Sequence, residues 1–178
     1  MKYTMFFLQF LILNTFVFSQ TKEKELSQAE RFSSQSGTLI EKQFISLGSV
    51  KGVHAKVLKM KNLISGESKS SLRFEYEYKT QYSSDTKIAS IDSDELDGLI
   101  TSIKTLQTSV FNSIKETYTE VSYKSRTGFE AGAFFDSKTR LWKTYIQIDK
   151  YDKNSIVFLS VSDFEILLIL LEDAKNYL

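Results

Sequence analysis

The sequence predicts an α+β domain, an antiparallel sheet of about eight strands with two helices on one face. Three observations lead there. Phe and Tyr dominate a 13% aromatic share, which favours strands over a helical bundle. Several stretches alternate apolar and polar residues with a period of two, most clearly Leu72, Phe74, Tyr76 and Tyr78 against Arg73, Glu75, Glu77 and Lys79. Two stretches open with capping-box spacing, Asp92 with Glu95 and Ser162 with Glu165, and continue as apolar helical stripes.

Taken in order, the chain opens on an address. Lys2 is a short positive region, Met5 to Phe18 is apolar, and Val17 and Ser19 occupy the −3 and −1 positions of a small-residue cleavage site. The apolar run falls short of the ~20 residues that a spanning helix needs. The expectation is a signal peptide over 1–19, cleaved at the Ser19–Gln20 bond, and export to the periplasm or the exterior. Residues 20–37 are polar and read as an N-terminal tether, or as a marginal helix through Leu26, Ala29 and Phe32. A single domain is expected over 38–178.

Thr38 to Leu47 and Val53 to Leu63 read as strands around a turn at Gly48 and Gly52, with a helix as the alternative for the first. Leu72 to Tyr78 is the clear strand, Ser83 to Asp85 turns the chain, and Ile88 to Ile91 is short. The helix from Asp92 carries Leu96, Leu99, Ile100, Ile103 and Val110 on one stripe. Strands then follow at Thr117 to Ser125, Phe129 to Asp136, Leu141 to Asp149 and Ile156 to Val161, before the last helix. Each half is thus four strands and a helix, the order that an internal duplication of a ββββα unit leaves.

Ser36 to Lys42, Asp92 to Leu96 and Ser125 to Glu130 give the mature chain a likeness to known sequences. It resembles a group of small, uncharacterised exported bacterial proteins. The resemblance implies one exported domain and carries no activity.

Cysteine and proline are both absent, which excludes disulfides, thiol chemistry and a proline switch. Once Lys2 leaves with the leader, cations and acids balance, so nucleic acid is not an expected partner. His54 is the one histidine, too few for a typical zinc site and without a nucleophile motif, and it reads as a surface residue. Asp92, Asp94, Glu95 and Asp97 lack the calcium-loop pattern and suit a helix start. Gly128 and Gly132 fit a hairpin rather than a phosphate loop, Gly132 making room for Trp142 or Phe134. Lys138, Arg140 and Lys143 beside Trp142 and Tyr145 suggest a carbohydrate or nucleic-acid surface less than they suggest core aromatics with solvated charges.

The last helix makes the strongest physical demand. Phe164, Leu167, Leu168, Leu171 and Ala174 form one stripe and Ile166, Ile169, Leu170 and Tyr177 another. One stripe suits the sheet; the other is expected to meet the first helix or, in a homodimer, a second copy. The functional expectation is an exported, non-catalytic binding or structural module of the cell envelope. It needs no cofactor or metal and engages an envelope protein or a small ligand. Its open sheet face carries Arg73, Glu75, Glu77, Lys143, Tyr145 and Gln147. The rival readings are a small hydrolase or lyase with spatially assembled carboxylates, and a carrier of an apolar ligand.

Overall fold

The computed structural model describes residues 25–178, so the expected signal peptide lies outside the described residues. The α+β class holds, but the eight strands divide into two four-stranded antiparallel sheets instead of joining in one. Sheet A contains β1 (Ile40–Val50), β2 (Val53–Asn62), β3 (Ser68–Lys79) and β4 (Ser84–Asp92). Sheet B contains β5 (Thr119–Lys124), β6 (Glu130–Asp136), β7 (Leu141–Gln147) and β8 (Ile156–Leu159). Both are meanders in chain order, and a helix follows each: α2 (Ser93–Thr105) and α3 (Val161–Lys175). The element order of the first half therefore recurs in the second.

The division falls at the first long helix. Sheet A ends where Asp92 closes β4 and starts α2, and a π-helical turn over Leu106–Val110 prolongs that helix. When the chain resumes as β5 it pairs with β6 and not with β4. Across the gap Thr127 Oγ1 donates to Ser90 C=O at 3.0 Å, and Phe129 stacks on Phe74 at 4.9 Å between ring centroids.

Alternation decides which face is buried. Val53, Ala55, Val57, Leu72, Phe74, Ala89 and Ile91 line the inner face of sheet A, and Phe129, Ala131, Ile146, Ile148, Val157 and Leu159 that of sheet B. The helices pack on the inner face of sheet A, α2 at β3 and β4, α3 at β1 and β2. Each also touches sheet B, α2 at β5 and α3 at β8, so one core serves both sheets.

Several expectations are corrected in detail. The β1–β2 turn is Lys51–Gly52, both at positive φ (48° and 79°), the pairing that matches strand twist in a two-residue hairpin. Gly48 instead sits inside β1 at a register shift, with φ 143°, where a Cβ would come within 3.0 Å of Leu170 Cδ2. The capping box of α3 pairs Ser160 with Asp163, two residues ahead of the expected pair. Leu167, Leu170 and Leu171 are buried, but Ile166 and Ile169 stay 44% and 57% exposed. The solvent side of the α2–α3 seam is bridged by charges, Lys104 to Glu172 at 2.7 Å and Lys175 to Asp97 at 2.6 Å, leaving those two isoleucines outside.

Of the two readings of 20–37, a short helix is the one present in the described part: α1 (Gln28–Ser33). It lies on the outer face of sheet A, where Ala29 and Phe32 pack with Leu58, Met60 and Ile40. No described helix is long and apolar enough to cross a membrane.

Candidate functional site

Two places concentrate chemistry-bearing side chains. The first joins three parts of the chain at Asp92, the N-cap of α2. Its carboxylate accepts from the backbone N–H of Gln28 at 2.8 Å and of Ala29 at 3.2 Å, free donors in the first turn of α1. The guanidinium of Arg126, from the β5–β6 turn, reaches Asp92 at 2.5 Å and Asp94 at 2.9 Å, and lies 3.7 Å from Glu95. Glu95 accepts the Asp92 N–H at 3.3 Å and the Arg126 N–H at 2.7 Å.

Asp92, Asp94 and Glu95 place oxygens within 4.8 Å of one another, close enough for one cation. Arg126 already supplies that positive charge. Its hydrogen bond holds the Asp94 carboxyl below its usual 3.8, and the acids in turn raise Arg126. Tyr123 donates to the Glu95 carbonyl at 3.2 Å, and burial, then the charge of Glu95, pushes its hydroxyl up to about 12. The cluster is an ionic clamp binding α1, α2 and the β5–β6 turn.

The second place is the outer face of sheet B. Cross-strand register lays its side chains out in rows. Glu120, Phe134 and Lys143 form one row; Ser122, Gly132, Tyr145 and Phe158 form the next. Phe134 is the hub, with Tyr118, Tyr145 and Phe158 at 6.0, 6.4 and 6.5 Å between ring centroids. Tyr118 and Phe158 are 58% and 62% exposed.

Most charges around the rings are neutralised on the spot. Tyr145 donates to Glu130 at 2.6 Å, and Lys124 lies 3.2 Å from it. Burial pushes Glu130 up, but hydrogen bonds from Tyr145, Ser122 and Lys124 outweigh it and the net shift is downward. Asp136 is held at about 2 by Lys143, 2.9 Å away, and by the N–H groups of Lys138 and Thr139. Tyr118 donates to Glu120, which has no cation partner among the described residues.

The six residues expected to share one open face are split between two sheets. Lys143, Tyr145 and Gln147 lie on the outer face of sheet B. Arg73, Glu75 and Glu77 lie on that of sheet A. There Glu75 binds Lys56 and Arg73 at 2.7 Å each, and Arg73 lies over the Phe44 ring at 5.8 Å. Burial raises Glu75, yet these two bonds leave it below its usual value. Glu77 pairs with Lys79 at 3.0 Å on the surface.

His54 and Trp142 fall where expected, and the reason for Gly132 changes. His54 is exposed on β2, opposite Glu75. Trp142 lies on the inner side of β7, packs edge-on to Phe135 and donates its indole N–H to Ser113 C=O at 2.7 Å. A Cβ on Gly132 would meet Val121 C=O at 2.6 Å and Ser122 Cβ at 2.7 Å, so strand β5, not Trp142 or Phe134, demands the glycine. The reading of the sequence missed Phe134 and Phe158. Their signal was a break in alternation: Phe134 stands among inward-facing Ala133 and Phe135, and Phe158 between Val157 and Leu159. Arg126 had no signal, since its main partner is 34 residues away.

No protein-family model matches the chain, and no match to it is found among curated proteins or solved structures.

Proposed function

We propose that this protein is an exported, non-catalytic binding module of the cell envelope, and that the outer face of sheet B is its recognition surface. One observation carries the reading. Phe134 centres four aromatic rings on an outward sheet face that no other described element covers. Aromatic side chains with a polar rim are the usual make-up of a protein–protein contact. A surface meant only for water gains nothing from exposing Phe158 and Tyr118 together.

Ring geometry favours a protein over a sugar. The rings of Tyr118, Tyr145 and Phe158 incline to Phe134 by 37°, 46° and 74°. A flat saccharide stacks best on coplanar rings, whereas inclined rings make ridges and hollows suited to side chains. Local neutralisation of Glu130 and Asp136 lowers the cost of removing water from the face. The pattern over Met1 to Ser19 supports export.

A photo-reactive phenylalanine analogue at Phe158 tests the surface in intact cells. The expected result is one crosslinked species of defined mass, lost when Phe134→Asp is added. The same analogue at His54 on sheet A should give none. Equal crosslinking at both positions, or none at Phe158, would sink the reading. N-terminal sequencing of the exported product should begin at Gln20; retention of Met1 would overturn export.

A further inference from the structure

We infer that the occupant of this face is a second copy of the chain, packed outer face to outer face about a two-fold axis running along β6. The inference rests on the recognition surface proposed above. What adds the identity of the occupant is the order of side chains within the rows.

The central row reads Glu120, Phe134, Lys143 from β5 through β6 to β7. A two-fold axis in the plane of the interface and along β6 exchanges the β5 and β7 sides of the face. Phe134 then meets Phe134 of the second copy. Glu120 meets Lys143 of the second copy, and Lys143 meets its Glu120. Two residues back along β5 and β7 the same operation sets Tyr118 against Leu141 of the second copy. These side chains are 58% and 64% exposed in the single chain. Acid falls on cation in the central row and apolar on apolar in both, so the two flanks of the face complement each other.

Charge state agrees with this order. Glu120 lacks a cation of its own among the described residues, its one bond being to Tyr118. Lys143 is half-exposed and among the described residues holds only Asp136, so it can bridge that acid and Glu120 of the second copy. Asp136 and Glu130 lie on the axis strand and would face their own copies, but each already has a lysine on its own chain. Face-to-face sheets cross at about 30°, which inclines each β6 by about half that angle to the axis, so contact is tightest along the Phe134 row.

Sedimentation of the purified protein decides the matter. The wild type should be a dimer. Phe134→Asp should be a folded monomer by circular dichroism. Glu120→Lys and Lys143→Glu should each weaken the dimer roughly tenfold or more, because each sets like charges opposite one another. The double variant Glu120→Lys with Lys143→Glu should restore it, which a merely unfolded or unstable variant cannot do. A wild-type monomer at every accessible concentration would overturn the inference. So would a dimer indifferent to both charge reversals and broken instead by Ile169→Asp on α3. A monomer that still crosslinks through Phe158 to a different protein removes the second copy and leaves the recognition surface standing; no crosslink at all removes both.

Discussion

Around Leu58 and Met60 the outer face of sheet A is roofed by α1, while the aromatic cluster on the outer face of sheet B lies open. Both sheets are four-stranded meanders followed by a helix on the shared core. Both break alternation by placing apolar side chains outward, Leu58 and Met60 in β2, Phe134 and Phe158 in β6 and β8. On sheet A the breach is covered within the chain. A six-residue helix is unstable alone. Three devices hold α1: the capping box of Ser27 with Glu30, the Asp92 carboxylate on its first N–H groups, and Phe32 against Leu58 and Met60. On sheet B no described element does the same, and its aromatic cluster stays open, the surface that the proposed function assigns to another molecule. The contrast teaches that two sheets of the same order can treat an outward apolar patch differently, one covering it from within the chain and the other leaving it open.

Removing the clamp should have the largest effect. Asp92→Ala leaves Arg126 with less compensation and uncaps α1, and loss of one partner of a largely buried ion pair costs about 3–5 kcal/mol. Urea denaturation should show that loss, with amide exchange over 25–37 rising most. Unchanged exchange there would mean that α1 is held by Phe32 alone.

Truncating the roof and the open patch tests the contrast directly. Phe32→Ala should cost about 3 kcal/mol, the lower end for a buried Phe. Phe134→Ala should cost the isolated chain about 1 kcal/mol, because its site is only half-buried. Equal costs in monomeric protein would erase the difference between the faces.

Gly132→Ala comes next. Its Cβ would press on Val121 C=O, and overpacking of this kind costs about 1–3 kcal/mol. Thermal denaturation should show the loss, and no shift would mean that β5 can move aside.

A smaller effect is expected from pH. The folded value for Asp136 is about 2, below its ordinary 3.8, so its stabilising share is complete above 3.8 and lost as pH falls through about 2. Amide exchange in the β6–β7 hairpin should quicken across that window, and less so in Lys143→Gln. A carboxyl titrating at its ordinary value in NMR would remove the effect.

Smallest of all is Ile169→Asp, expected within about 0.5 kcal/mol of wild type because that side chain already faces water. A large loss of stability or of assembly would move the open apolar surface from sheet B to α3.

Much of this architecture could be read in advance because it is local. Leu72 to Tyr78 alternates, Asp92 with Glu95 marks a helix start, and Phe129, Ala131, Ala133 and Phe135 announce a buried strand face. Such patterns are written within a few residues of one another, and the backbone periods of two and 3.6 translate them directly. For the same reason the sequence by itself determined the α+β class, the succession of four strands and a helix in each half, and the inward residues Leu96, Leu99, Ile100 and Ile103 of α2. Only the tertiary structure decided that β4 and β5 do not pair, that Arg126 fills the acidic cluster at Asp92, and that Arg73 and Tyr145 look outward from different sheets. Those outcomes depend on residues tens of positions apart being carried together by a shared core. Two-fold alternation says that a side chain points outward, but not what stands opposite it, and that is what separates Leu58 under α1 from Phe134 in the open.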